Sequence, residues 1–289
     1  MKRAINQTMK KSIQKYSPIF LLPTIIAFVI GFLWPFVWGF ALSFYKFKTL
    51  KFKEFVGLSN YIDIFRDETF IDSFWFTLLY TIVSIVIINV ISFILALSLS
   101  KKFKGSTLFR TIFFLPNLVG GIVLAYVWKN LLNEVISRMF DSQLLLESKF
   151  GFWGLLIITS WQQIGYMMVI YIAGLQNVPT EQIEAAQIDG ASKIDVLRKV
   201  TIPNIMPSIT ICLFLTLTNS FKLFDQNLAL TNGLPNRETE MLALNIYRSF
   251  YQSATNMGLG QAKAVLFLLV LVVISLIQLH ITRKREHEA

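Results

Sequence analysis

The chain has 289 residues, 54% of them apolar and only 15% charged, with a formal net charge of +10. That balance excludes an ordinary soluble domain and indicates a polytopic membrane protein. Many of the Lys and Arg residues lie in short segments beside apolar runs, which fits membrane topology better than nucleic-acid binding.

Residues 1–17 carry Lys2, Arg3, Lys10, Lys11 and Lys15 and no acid. The apolar run that follows is too long for a signal-peptide core and lacks a clear small-residue cleavage site, so no cleavable signal is expected. A helix needs about 20 apolar residues to cross a bilayer. Six stretches qualify: 18–45, about 74–100, 107–132, 152–175, about 203–223 and 262–281. The third is interrupted by Pro116 and Gly120-Gly121. The reading is an all-α membrane protein with six transmembrane helices and both termini on one side. The basic N-terminus and Lys101, Lys102 and Lys104 place that side in the cytoplasm by the positive-inside rule. Lys46, Lys48, Lys51 and Lys53 then lie outside and narrow the margin.

Between the fourth and fifth stretches lies a polar loop, residues 179–203. It reads as two short helices meeting at Gly190. Thr180 is placed to cap the first, with Glu181 and Glu184 in its first turn. Gly190 takes a positive φ to end that helix. Ser192 and Asp195 form a capping-box pattern that starts the second, and Pro203 is expected to stop it. Ile194, Leu197 and Val200 form an apolar stripe. Ala185, Ala186, Gly190 and Ala191 allow close approach, and Glu184, Asp189, Asp195, Arg198 and Lys199 form a charged rim. This suits docking in a partner's groove. The alternative, a helix lying on lipid headgroups, is disfavoured by the acidic residues.

Polar side chains recur inside the apolar stretches. In the fourth, Thr159, Gln162 or Gln163, and Tyr166 share a face, with Ser160 and Trp161 alongside. In the fifth, Thr216, Asn219 and Ser220 do the same. Their amides and hydroxyls can donate to and accept from a polyhydroxy ligand, and Trp161 and Tyr166 offer stacking faces. Interhelical hydrogen bonding uses the same residue types, and spacing alone leaves the two readings even. Asn89, in the second stretch, reads as a packing hydrogen bond. Lys222 falls near the outer end of the fifth stretch and Lys263 near the end of the sixth, so no cation is expected mid-membrane, which favours a neutral ligand over an anion. There is no P-loop, no Cys/His metal cluster and no Ser-His-acid set: Cys212 is the single cysteine, and His280 and His287 lie near the C-terminus. An enzyme is not expected, and if ATP drives this protein another chain binds it.

The run Glu184-Ala185-Ala186, Asp189-Gly190-Ala191 and Ile202-Pro203 resembles the EAA loop of binding-protein-dependent ABC importer permeases. Asp189 before Gly190 looks like the carbohydrate-uptake subgroup of maltose and multiple-sugar permeases. Leu197 stands where an aromatic is common, and Ile202 replaces Leu. Residues 55–61 (FVGLSNY), 109–116 (FRTIFFLP) and 230–235 (LTNGLP) also resemble family segments, the last with Leu234 in place of a second Gly.

The resemblance implies a type I ABC importer permease fold, with a basic cytoplasmic segment 1–17, a six-helix permease domain 18–282 containing the coupling loop 179–203, and a cytoplasmic tail 283–289. It implies coupling to an ATPase through Glu184, Ala185, Ala186, Asp189, Gly190, Ala191, Leu197 and Pro203. It tilts the polar faces toward a sugar site of Ser160, Gln163, Tyr166, Thr216, Asn219 and Ser220. The implied partners are a second homologous permease, two ATPase subunits, an extracytoplasmic sugar-binding protein, a sugar and membrane lipid, with no nucleic acid. No metal or cofactor is expected in this chain, ATP and Mg belonging to the ATPase. The implied location is the bacterial cytoplasmic membrane with both termini inside. The favoured substrate is a neutral oligosaccharide. The nearest alternative is a glycerol-phosphate-type or other solute importer; a secondary transporter would usually show a mid-membrane acid or His and an inverted repeat.

Overall fold

The computed structural model describes residues 19, 21–48, 53–101, 103–252 and 256–287, with side chains to residue 284. The basic segment 1–17, Lys51 and Lys102 lie outside the described residues, as do the last two residues of the tail. Two compact units are described separately: one runs to Ile64 and includes Ser249–Val265, the other comprises Phe65–Arg248 with the chain from Leu266 onward.

In the first unit, α1 (Leu21–Leu42) contains a π turn at Val29–Leu33. It is followed by a hairpin, β1 (Tyr45–Phe47) and β2 (Lys53–Phe55), paired antiparallel with Tyr45 opposite Phe55, and by α2 (Ser59–Ile64). The 55–61 motif has a physical explanation here. Gly57 turns the chain at φ +55°. Asn60 then donates to the carbonyls of Ser43 at 2.8 Å and Tyr45 at 3.0 Å, stitching α2 to the end of α1.

The second unit is built on α3 (Glu68–Leu99). It continues through α4 (Ser106–Phe114), α5 (Gly121–Phe140), α6 (Ser148–Gln176), α7 (Thr180–Ile188), α8 (Lys193–Asn204), α9 (Met206–Phe221), α10 (Asp225–Leu230) and α11 (Leu242–Tyr251). The last helix, α12 (Met257–His287), runs through both units. Among the described residues, four helices are long and apolar enough to cross a membrane unbroken: α1, α3, α6 and α12. The other two stretches are bent pairs. The segment from α4 to Leu118 meets α5 at 99°, and α8 meets α9 at 72°.

Each break has a local cause. Leu115–Leu118, containing Pro116, tightens to a 3-10 turn, and Val119 and Gly120 are extended before α5 begins. The second break differs from expectation, because Pro203 does not stop its helix. A π turn at Leu197–Thr201 precedes the proline, and the chain stays helical to Asn204. The wider turn moves the carbonyl four residues back away from the proline ring. The bend falls at Ile205 (φ −98°, ψ 8°), just before Met206-Pro207.

The second unit is inside-out compared with a soluble domain. On α3, Trp75, Leu79, Ile82, Val86, Val90 and Ile94 are exposed, while Ser73, Thr77, Ser84, Ser92 and Ala96 are buried. The buried residues recur at spacings of four, seven, eight and four, so they form one stripe of small side chains along the helix. Lipid tails are as apolar as leucine, so packing in a bilayer rests on close approach and interhelical hydrogen bonds. Both are present. The Tyr80 hydroxyl meets Thr159 of α6, and Ser92 donates to the Ile164 carbonyl at 2.9 Å. Tyr171 of α6 donates to Asn89 at 2.8 Å, and Asn89 donates to Thr216 of α9 at 3.2 Å. Asn89 is thus a packing residue, as its position suggested.

Gly165 shows how close the approach is. A Cβ there would overlap the backbone of Phe113 and Phe114, so α4 lies directly on α6 at this glycine. Gly31 on α1 has open space around it. Gly165→Ala should therefore destabilise the protein by about 1–3 kcal/mol, the usual range for overpacking, or more, because backbone cannot swing aside. Gly31→Ala should leave stability within about 0.5 kcal/mol. Thermal unfolding of both variants in detergent checks this, and equal melting temperatures would refute the close contact.

Candidate functional site

The first candidate site is the polar knob of α7 and α8. Pro179 occupies the N-cap of α7 with an extended backbone, so Thr180 is the first helical residue and makes no side-chain cap. The expected Thr180 cap is therefore corrected: the proline's fixed φ already sets the direction in which the helix starts. Gly190 does adopt φ +81°, and Ala191 donates back to the Ala186 carbonyl at 2.9 Å, closing the helix end. The Ser192–Asp195 capping box is present. The Ser192 hydroxyl, and then Lys199 at 3.4 Å, hold the exposed Asp195 carboxyl below its ordinary range. Asn204 donates to Gln182 at 2.8 Å and ties the end of α8 back to α7.

On this knob Glu184, Ala185, Asp189 and Gly190 are exposed, and Ala186, Ala191, Leu197 and Pro203 are half-buried. Val196 is buried and anchors α8. Ile188, at 87% exposure, and Ile194, at 62%, stand out among the charges. Ile188 ends α7, whereas the stripe that drew attention to Ile194 was read on α8 alone, so the spacing argument passed over it.

The second candidate is a cleft of about 430 Å³ lined by Asn117, Gln162, Gln163, Asn219, Lys222, Leu223, Phe224, Asp225 and Gln226. Two helix breaks and the middle of α6 form its walls. Asn117 comes from the 3-10 turn after α4, the two glutamines from α6, Asn219 from the last turn of α9, residues 222–224 from the break between α9 and α10, and Asp225 and Gln226 from the start of α10. Broken helices place polar groups at membrane depth where they face a cavity.

The two glutamines play different parts. Gln162 donates to the Val119 carbonyl at 2.8 Å and accepts from Gln226 at 2.6 Å, so it braces the break before α5 and the start of α10. Gln163 is 7% exposed, and its carbonyl oxygen has no partner among the described residues. A buried acceptor left open beside a polar cleft is placed to take a ligand hydroxyl or cavity water.

The sequence-selected polar residues divide accordingly. Gln163 and Asn219 meet at the cleft. Thr216 lies in the α3–α9 seam, donating to the Cys212 carbonyl at 2.8 Å and accepting from Asn89. Thr159 is bonded to Tyr80. Tyr166 packs on Phe114, and Trp161 makes an edge contact with Trp128. Ser160 and Ser220 are buried with unpartnered hydroxyls but do not line the cleft. Sequence reading missed Asn117 and Gln226 and set Lys222 apart at the helix end. Lys222 in fact lines the cleft beside Asn219, because α9 stops at Phe221 and the chain turns there. The Pro116 and Gly120-Gly121 signals marked the wall that carries Asn117. No comparable signal marks residues 222–226.

A family model described as "Binding-protein-dependent transport system inner membrane component" matches residues 88–287. The chain belongs to this family. The permease is 43% identical over 277 residues to a probable starch degradation products transport system permease of Thermoanaerobacterium thermosulfurigenes, covering 93% of this chain and 94% of that one. It is 31% identical over 289 residues to a multiple sugar-binding transport system permease of Streptococcus mutans, covering 96% and 99%. Its fold matches a chain in the crystal structure of a bacterial alginate ABC transporter in complex with an alginate pentasaccharide-bound periplasmic protein. That match has a TM-score of 0.79 and 25% identity, over 96% of this chain and 97% of that one. The protein is thus a membrane-embedded ABC importer permease with the type I fold and is not itself an enzyme.

Bracing and ligand roles separate in stability measurements. Gln162→Leu should cost about 1–3 kcal/mol, since it leaves the Val119 carbonyl without this donor and Gln226 without its acceptor. Gln163→Leu removes an acceptor with no partner and should leave stability unchanged or raised. Melting temperatures in detergent that fall equally for both would contradict the division.

Proposed function

We propose that this permease carries a neutral oligosaccharide released by an extracytoplasmic binding protein, moving it through the cleft into the cytoplasm. The observation that carries this reading is the cleft itself. It combines amides from two helix breaks and from α6 between them, an open buried acceptor on Gln163, an aromatic wall at Phe224, and one cation balanced by one anion. Such a surface can hydrogen-bond a polyhydroxy ligand without attracting net charge. The sugar-related names of the two relatives support the same substrate class. A glycerol-phosphate-type importer would want an excess of cation, and Asp225 offsets Lys222.

In this reading the permease pairs with a second, homologous permease and two ATPase subunits, which hold the ATP and Mg. It lies in the bacterial cytoplasmic membrane with both termini inside, and the 231–235 loop faces the binding protein. Glu184, Ala185, Ala186, Asp189, Gly190, Ala191, Leu197 and Pro203 dock on an ATPase, joined by the exposed Ile188 and Ile194. ATPase closure moves the knob, and α6 and α9 carry the movement to the cleft. Gln163 and Asn219 contact the sugar, while Ser160, Tyr166, Thr216 and Ser220 line the path it follows when the helices shift.

Two sets of variants test the two halves. Gly190→Val forces a side chain into a left-handed turn at a cost of about 1–2 kcal/mol, and Glu184→Lys reverses a charge on the knob. Both should weaken co-purification with the ATPase while leaving the permease in the membrane, and full association and transport in both would remove the knob from coupling. Gln163→Leu and Asn219→Leu should each lower sugar uptake per assembled complex severalfold, since each lost hydrogen bond is worth about 0.5–1.5 kcal/mol. Normal uptake per complex in both would remove them from the sugar path.

A further inference from the structure

Two charged side chains in the cleft have so far entered only as a net charge. Lys222 and Asp225 line the same cleft as Gln163 and Asn219, and both are exposed to it. Neither makes an ion pair or a side-chain hydrogen bond among the described residues. Two of the neighbouring amides, by contrast, are tied up: Gln226 is bonded to Gln162, and Gln162 to the Val119 carbonyl. Backbone packing fixes the position of Asp225. A Cβ on Gly121 would overlap the side-chain base of Asp225, so the start of α10 is seated against the start of α5 at a glycine. Lys222 sits where α9 ends, three residues before Asp225, with Leu223 and Phe224 between them.

An ammonium can only donate hydrogen bonds and a carboxylate can only accept them, whereas sugar hydroxyls do both. One of each on a cleft wall, not neutralised by each other, orients neighbouring hydroxyls of a ring lying on Phe224. The pair also sets the charge balance. An anionic sugar that approached Lys222 would meet the like charge of Asp225, and in a partly desolvated cleft that repulsion is felt strongly.

We propose that Lys222 and Asp225 together form the charge filter of this cleft, binding hydroxyls of neutral sugars and using Asp225 to reject acidic ones. This rests on the reading of the cleft as the sugar path. Asp225 is then the specificity-determining residue. Removing its charge leaves Lys222 unopposed and converts the cleft into one that prefers uronates.

The test uses the purified complex of permeases and ATPases in lipid nanodiscs, without binding protein, so that the binding protein's own selectivity does not enter. Maltotriose and trigalacturonate are supplied together, and saturation-transfer NMR reads the ratio of their bound signals. The wild-type complex should favour maltotriose. Asp225→Asn should raise the acidic-to-neutral ratio by about tenfold or more, Lys222→Gln should lower it further than wild type, and Asp225→Glu should keep the wild-type ratio. Both charged residues are exposed, so assembly should survive, and co-purification of the ATPase confirms it. A ratio unchanged within about twofold in both Asp225→Asn and Lys222→Gln, with maltotriose still bound, overturns the filter and leaves the sugar path standing. Absence of signal from either sugar with the wild-type complex overturns both.

Discussion

The structure depends on hydrogen bonds and close contacts between helices that have no hydrophobic reason to meet. In lipid the outward leucines and isoleucines of α3 are already satisfied, so burying them gains little. The seam of α3, α6 and α9 is instead held by Tyr80 with Thr159, Ser92 with the Ile164 carbonyl, and the chain Tyr171–Asn89–Thr216. Each bond also stops a polar group from being stranded in hydrocarbon. Gly165 and Gly174 permit the approach, the first against backbone of α4 and the second against Ser208 of α9.

That constraint explains where polar residues are free and where they are not. Residues at the seam are paired, and residues at the helix breaks face the cleft. A break in a spanning segment releases backbone groups that need partners. At Val119 the partner is a side chain, Gln162, which in turn is held by Gln226. The same bonds that repair the break therefore shape the cleft wall. Gln163, one residue along α6, is turned away from the repair, and its oxygen is left open.

Much of this was legible in the sequence. Apolar runs gave the spans, Pro116 with Gly120-Gly121 gave the first break, and Gly190 with Ser192 and Asp195 gave the turn and cap of the knob. The misread elements share a cause, which is that local propensity does not report hydrogen-bond register. Pro203 looks like a helix stop, but a π turn at Leu197–Thr201 lets the chain pass it, and nothing in the composition of that turn announces it. Thr180 looks like a cap, but Pro179 already fixes the backbone. The cleft was half legible. Spacing placed Gln163 and Asn219 on the correct faces, and it placed Thr216 there too, although Thr216 lies in the seam. Distinguishing them required knowing which neighbour each side chain reaches. The small-residue stripe of α3 was readable in principle, but in a chain this apolar the eye follows hydrophobic residues, and the buried face is the polar one.

The two sites are joined by the same two helices, the cleft meeting α6 at its middle and α9 at its C-terminal end. From Gln163 to the end of α6 at Gln176 is about 20 Å at 1.5 Å per residue, and Asn219 is about as far along α9 from the bend at Ile205. A force applied to the knob reaches α6 directly at its C-terminus, but reaches α9 only through that bend. If α6 and α9 were independent, the bend would absorb the motion. They are not independent. Asn89 of α3 holds Tyr171 of α6 and Thr216 of α9 at once, between the knob and the cleft. Gly174 against Ser208 adds a second contact nearer the knob. The pair therefore behaves as one lever clamped to α3. The bend at Ile205 then sets the direction in which the knob stands relative to α9. The bonds of Gln162 to the Val119 carbonyl and to Gln226 lie apart from this clamp, on the helix breaks, so the cleft wall and the seam are held by separate sets of side chains.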